Sequence, residues 1–320
     1  MKTVQWQLNA DRVAPDLAEL VATLLSASNT IADKVRRGAL AGVLGSAAQQ
    51  NVQGETQKKL DVIANDILKQ ALLASPHVKS VASEEEDDVV AGHPAGAYVV
   101  AFDPLDGSSN IDINGQIGTI FTVYSALPDV AADSHKQFAQ QGRAQVCAGY
   151  VLYGPSTQLA LTTGGPSRLY TLDSNGEYLL TQAELTIPAE CQEFSANMSN
   201  VRHWSPAVQS YVQQLQAGKE GARGKDFNMR WNGAMVGDVH RILVRGGLFL
   251  YPANTQSAVH NGKLRLLYEA NPMALLVERA GGRASDGKQA ILDITPAALH
   301  QRVPVFIGAA QELAKLEADL

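Results

Sequence analysis

Cysteine is nearly absent: Cys147 and Cys191 are the only two in 320 residues. They form no CxxC pair and have no histidine nearby, which argues against a zinc site or a redox motif. Two lone thiols fit a reducing compartment, although two could also form one bridge. Aromatic residues make up 6% of the chain and charged residues 18%. No run approaches the roughly 20 apolar residues that a membrane helix needs. The first residues, MKTVQWQLNADRVAPDLAEL, contain no apolar signal core. No stretch carries a dense Lys/Arg cluster, so nucleic acid is not an expected partner. Internal repeats and low-complexity tracts are also missing. The expectation is a soluble, cytoplasmic protein with no membrane partner.

What is present is apolar bulk. Some 45% of residues are hydrophobic, enough for one large core or for two that share an interface. The formal net charge is −6. An acidic protein acting on an anion faces Coulomb repulsion, and divalent cations would relieve it. Carboxylates that could hold such cations are therefore the residues to look for.

Periodicity predicts a helix over 16–36, where Leu17, Leu20, Val21, Leu24, Leu25, Ile31 and Val35 recur at spacings of three and four. Residues 39–54 are small, polar and glycine-containing, and read as a mobile connection. A second helix is expected over about 55–74. Strands are expected at Val78–Val81 and Tyr98–Phe102, the latter buried on both faces. An antiparallel series should follow: Ile117–Ser125, Gln145–Leu152, Gln158–Thr162 and Arg168–Asp173. In the second half, strands are expected at Phe194–Met198, Gly247–Tyr251 and Leu264–Tyr268. Helices are expected from Ser205-Pro206 to Ala217, over Gly233–Arg245, from Asn271-Pro272 to Gly281-Gly282, and over about 310–318. This intermixing predicts an α/β protein with mixed sheets. The expected domains are 1–187 and 188–320.

The most informative segment is Asp103-Pro104-Leu105-Asp106-Gly107-Ser108-Ser109-Asn110. It follows a buried strand at once. Pro104 fixes φ and bends the chain, so Asp103 and Asp106 can converge on one point, joined by the Leu105 carbonyl. Hard cations such as Mg²⁺ choose such oxygens. The amides of Gly107, Ser108 and Ser109 can then form an anion-binding nest at a helix start. Metal ligands beside an anion cradle are what metal-assisted phosphate hydrolysis requires. A bare DPxDG is also an ordinary polar turn; the whole string behind a buried strand is harder to explain that way.

Glu84-Glu85-Glu86-Asp87-Asp88 could be a solvated face. Its place between two short strands, however, would bring one or two of its acids to the sheet edge where Asp103 emerges. Asp87 and Asp88 are expected at the surface. Glu269, at the end of LRLLYE, fits either a metal site or charge complementarity at a helix start. Lys263, Arg265, Arg230, Arg241 and Arg245 are the main cations available to a distal phosphate. His240 is expected to be a packing residue.

The string DPLDGSSN resembles the Asp-Pro-hydrophobic-Asp-Gly signature of the Mg²⁺- and Li⁺-sensitive phosphatase superfamily. More specifically, the chain resembles the class 1 fructose-1,6-bisphosphatase family. The resemblance is carried by NVQGETQKKLDVIAND, VASEEE, AYVVAFDPLDGSSNID, MVGDVHRILVRGGLFLYPAN and KLRLLYEANPMALLVERAGGRASDGK, in order along most of the chain. It implies a layered αβαβα fold, a homotetramer, and release of the 1-phosphate of fructose 1,6-bisphosphate in carbohydrate metabolism. It also implies two or more Mg²⁺ ions per subunit, with Mn²⁺ able to substitute. The matching metal ligands are Glu84, Asp103, Leu105 (carbonyl), Asp106 and Glu269, with Glu55 near a further metal. Asp61 and Glu85 match carboxylates that activate water. Asp106, Gly107, Ser108 and Ser109 match the 1-phosphate site. Asn197, Tyr251 and Lys263 match the sugar and 6-phosphate site, and Arg230 matches a residue that reaches into a neighbouring subunit.

The sequence departs from the family pattern at several positions. Glu55 stands for a usual Asp, and Trp231 and Asn200 each stand for a usual Tyr near the 6-phosphate, where a hydroxyl donor is lost. The Thr-Gly-Glu turn and Lys-Tyr pair of AMP-inhibited members are replaced by RVAPDLAEL and Ala97-Tyr98, which predicts weak or absent AMP inhibition. A related phosphatase acting on sedoheptulose 1,7-bisphosphate, an inositol or nucleotide phosphatase, and a non-catalytic sugar-phosphate-binding regulator are the competing readings.

Overall fold

The structure is a computed structural model and describes residues 1–50, 56–256 and 260–320. The helices are α1 (Val4–Ala10), α2 (Pro15–Arg37), α3 (Lys59–Leu73), α4 (Pro206–Gln216), α5 (Met235–Arg245), α6 (Asn271–Glu278) and α7 (Ala310–Asp319). The strands of the first half are β1 (Ser46–Gln50), β2 (Thr56–Lys58), β3 (Val78–Ser83), β4 (Val90–Ala91), β5 (Tyr98–Asp106), β6 (Ile117–Ser125), β7 (Gln145–Tyr153), β8 (Thr157–Thr162), β9 (Arg168–Leu172) and β10 (Tyr178–Gln182). Those of the second half are β11 (Glu193–Ala196), β12 (Asn228–Met229), β13 (Leu248–Tyr251), β14 (Leu264–Arg265), β15 (Arg283–Ser285), β16 (Arg302–Val303) and β17 (Val305–Gly308).

Burial builds the layers. The apolar stripe of α2, with Leu20, Val21, Leu24 and Ile31 fully buried, packs with α1 and α3 on one face of an eight-stranded sheet. That sheet runs β10-β9-β8-β7-β6-β5-β3-β4. Its β3–β5 pair is parallel and its other pairs are antiparallel. On the opposite face, Ile120, Tyr150 and Leu152 meet α5 and α6 in a second core, which β13 and β17 also enter. Those two strands belong to a five-stranded mixed sheet, β12-β11-β13-β17-β15. Its far face packs against α4 and α7 through Tyr211, Leu215, Leu313 and Leu316. The order of layers is α, β, α, β, α, because each sheet buries both of its faces. Among the described residues no helix is long and apolar enough to cross a membrane.

Several expected boundaries move. Residues 46–50 and 56–58 pair as an antiparallel hairpin, so part of the expected connection over 39–54 is strand. The helix expected from about residue 55 starts at Lys59, where the Asp61 carboxylate accepts the Lys58 backbone N–H at 2.7 Å and closes the first turn. The strand expected over Leu264–Tyr268 stops at Arg265. Leu266–Ala270 is instead a single π-helical turn leading into α6. π turns of this kind concentrate at functional sites.

Candidate metal and phosphate site

The parallel β3–β5 pair brings two acidic ends together. Ser83 is in register with Phe102, and the Glu84 N–H donates to the Phe102 carbonyl at 3.1 Å. Glu84 therefore leaves its strand beside Asp103. In a regular strand, Asp103 and Asp106 would face opposite sides of the sheet. Here three steps on β5, Asp103 to Asp106, oppose two on β6, Ile120 to Gly118. Pro104 supplies no N–H, its carbonyl accepts the Thr119 hydroxyl at 2.9 Å, and the Leu105 N–H folds back to Asp103 Oδ1 at 2.9 Å. This bulge turns both carboxylates to one side.

Glu269 joins them from the π turn, its Oε2 accepting the Arg265 backbone N–H at 2.6 Å. One oxygen from each of Asp103, Asp106 and Glu269 lies within 4.8 Å of the others. Burial pushes Asp103 up first, then the charges of Glu84, Asp106 and Glu269. Burial also raises Asp106 to about 7, against the N–H groups of Val236 and Met235. Glu269 rises to about 8, from burial and from Glu84. Buried carboxylates whose charges repel one another favour a bound cation, and an all-oxygen donor set fits a hard divalent ion. Glu84 flanks the trio: its Oε1 pairs with Arg265 at 2.7 Å, while its Oε2 is buried with no hydrogen bond.

Next to the trio, Gly107 takes φ +81°, and a Cβ there would sit 2.4 Å from the Ala234 Cβ, so only glycine fits. Ser108–Asn110 form a single 3₁₀ turn, shorter than the helix start expected. Asn110 holds the turn by donating to the carbonyls of Gln116 (3.1 Å) and Asn232 (3.0 Å).

One cavity of about 450 Å³ takes in these groups. Its acidic end is lined by Glu84, Glu85, Asp103, Leu105, Asp106 and Glu269, and Gly107, Ser108 and Ser109 lie beside them. Asn197, Trp231, Tyr251 and Lys263 line the rest. Trp231 stacks on Phe249 (centroids 6.3 Å apart, planes 5° apart) and leans on Tyr251 at 6.2 Å. Asp61 is buried just outside the lining. Its Oδ1 has no hydrogen bond, and burial together with Glu85 and Glu84 raises it to about 7 against the Lys58 N–H. Arg230 is not brought into the cavity: it is exposed, its guanidinium on the Met229 carbonyl at 3.0 Å. Glu55 lies outside the described residues.

Sequence reasoning grouped Arg265 with cations for a distal phosphate; it sits instead among the carboxylates, on Glu84. Its spacing of four from Glu269 was the available signal. Asp238 was missed. It is fully buried, raised to about 6 by burial, and bonded through Oδ1 to the Ser195 hydroxyl (2.7 Å) and the Asn232 N–H (3.0 Å). His240 is a packing residue, as expected: it is bonded to the Tyr150 hydroxyl at 2.9 Å and pushed down to about 4 by burial.

A layered α/β fold with buried carboxylates facing a Gly-Ser-Ser turn defines a class, the hydrolases of phosphate esters. The family described as fructose-1,6-bisphosphatase matches by its N-terminal domain over residues 2–183 and by its C-terminal domain over 187–320. A class 1 fructose-1,6-bisphosphatase of Cellvibrio japonicus is 62% identical over 307 residues, 96% of this chain and 95% of that one. One of Saccharophagus degradans is 59% identical over 98% of each. The crystal structure of Leishmania major fructose-1,6-bisphosphatase in holo form matches with a TM-score of 0.93 at 37% identity, over 99% of this chain and 98% of that one. The chain belongs to the class 1 fructose-1,6-bisphosphatase family.

Proposed function

We propose that the chain hydrolyses the 1-phosphate of fructose 1,6-bisphosphate, giving fructose 6-phosphate and phosphate. One observation carries this reading: a cation-ready carboxylate trio, an anion-receiving turn and the Lys263 ammonium line a single cavity. Glu84, Asp103, Asp106, Glu269 and the Leu105 carbonyl would hold two or more Mg²⁺ ions, or Mn²⁺ in their place. Bound there, the ions would neutralise phosphoryl charge and lower the pKa of a water. Gly107, Ser108 and Ser109 offer amide and hydroxyl donors to the 1-phosphate. Asp61 and Glu85 are the acids that would take the proton from the attacking water. A carboxylate raised to about 7, as Asp61 is, suits a base near neutral pH. Asn197, Tyr251 and Lys263 orient the sugar and its far phosphate.

Arg230, outside its own cavity, is assigned to the cavity of a neighbouring subunit in a homotetramer. Domains of 1–187 and 188–320 agree with where the two family matches meet. A cytoplasmic setting agrees with two buried, free cysteines. The test is phosphate release from a panel of sugar bisphosphates with Mg²⁺ and with EDTA. Mg²⁺-dependent release from fructose 1,6-bisphosphate supports the reading, and no release from any member overturns it.

A further inference from the structure

α3 carries Asp61, Asn65 and Lys69 at steps of four, so the three share one face. That face meets the turn Ser83-Glu84-Glu85-Glu86 at the end of β3. Asn65 Oδ1 accepts from the Ser83 hydroxyl at 2.6 Å, and Asn65 Nδ2 donates to Glu86 Oε1 at 2.8 Å. Lys69 pairs with the same Glu86 oxygen. The Ser83 hydroxyl spends its proton on Asn65 and accepts the Glu85 backbone N–H at 3.2 Å. Asn65 is 6% exposed and Ser83 2%. Neither amide group can go unpaired there without a desolvation cost, which holds the turn to the helix.

We propose that Asn65 and Lys69 are positioning residues for the hydrolysis. They fasten the acid turn to the helix that carries Asp61, so that Glu84 and Glu85 keep their places relative to Asp61 and to the trio. This rests on the functional reading above for the roles of Asp61, Glu84 and Glu85. Glu86 thereby gains a different job from its two neighbours. Its carboxylate lies outside the cavity lining and its charge is met by Lys69, so it anchors the turn rather than serving the cation.

The test compares Asn65→Ala, Lys69→Met and Lys69→Arg with the wild type. The measurements are Mg²⁺ binding by titration calorimetry, steady-state phosphate release, and the melting temperature. Asn65→Ala and Lys69→Met are expected to weaken Mg²⁺ binding and lower kcat by about 10–100-fold, as loss of the groups that orient metal ligands does. KM for the bisphosphate should stay within about twofold, and Lys69→Arg should restore both properties. Mg²⁺ affinity and kcat that both stay near wild type would overturn the proposal, as would a rise in KM that accounts for the whole loss. Should Asn65→Ala fail to fold, the half-buried Lys69 carries the test through Lys69→Met and Lys69→Arg. Should the wild type release no phosphate, the functional reading fails, and the calorimetric ratio alone decides whether the turn is positioned as stated.

Discussion

The two ends of the cavity are built in opposite ways. At the acidic end, the trio sits on β5 and the π turn and is fixed by backbone bonds: Asp106 by the Val236 N–H at 2.7 Å, Glu269 by the Arg265 N–H, Asp103 by the Leu105 N–H. At the aromatic end, Asn197, Trp231 and Lys263 come from connecting segments, and Lys263 is exposed. There the wall is made by ring packing among Trp231, Phe249 and Tyr251. Charge that must be held against its own repulsion needs preorganised dipoles. A wall built mainly for shape can be assembled from rings and one long cation.

The sharpest way to break this contrast is Asp106→Asn. It removes one of three buried charges and should lower kcat by more than about a hundredfold at saturating Mg²⁺. Phosphate release near the wild-type rate would show that the carboxylate is not needed. Lys263→Ala should act on the other end alone, raising KM about tenfold or more with a smaller change in kcat. An equal loss in kcat would mean that the ends are not separable. Gly107→Ala should cost about 1–3 kcal/mol, from the left-handed φ and the contact with Ala234, read by denaturant titration.

A milder effect concerns pH. Asp106 and Glu269 are raised in the folded chain to about 7 and about 8, from ordinary values of 3.8 and 4.5. Between roughly pH 4 and 8 the folded state therefore binds more protons than the unfolded one, and stability falls as pH rises. The melting temperature in EDTA should drop across that window and the drop should shrink in Mg²⁺. A flat profile in EDTA would contradict the assigned repulsion. The smallest expected effect is that of AMP. The first turn of α2 carries Asp16, and Glu19 one turn on holds His77 at 2.8 Å. The carboxylates of Asp16 and Glu19 offset the attraction that a helix start has for an anion, so millimolar AMP should leave phosphate release nearly unchanged. A micromolar inhibition constant would overturn this.

Legibility in the sequence followed the same divide. β5 and its bulge are one continuous string, so Asp103 through Ser109 could be read together, and the short β3 pointed to Glu84. Strands with strong alternation or continuous burial, such as β6 and β7, were visible for the same reason. Other features were hidden because they depend on distant partners. β10 and α1 are short: β10 gains its place by pairing with β9 at the edge of the large sheet, and α1 by packing into the first core. The π turn looked like a strand because Leu266, Leu267 and Tyr268 are all buried, which periodicity cannot distinguish from a two-faced strand. Arg265 looked like any basic residue until Glu84 was placed beside it. Asp238 was hidden because one of its partners, Ser195, lies 43 positions away and the other, the Asn232 N–H, belongs to a connecting segment whose course periodicity does not show.

The first turn of α5 reaches both ends of the cavity. Val236 holds the Asp106 carboxylate, and two residues later Asp238 holds the Asn232 N–H, beside Trp231. Less than one helical turn, about 5.4 Å of stiff backbone, separates the two grips. That short rod works as a gauge: the acidic end and the aromatic wall are held at a set spacing.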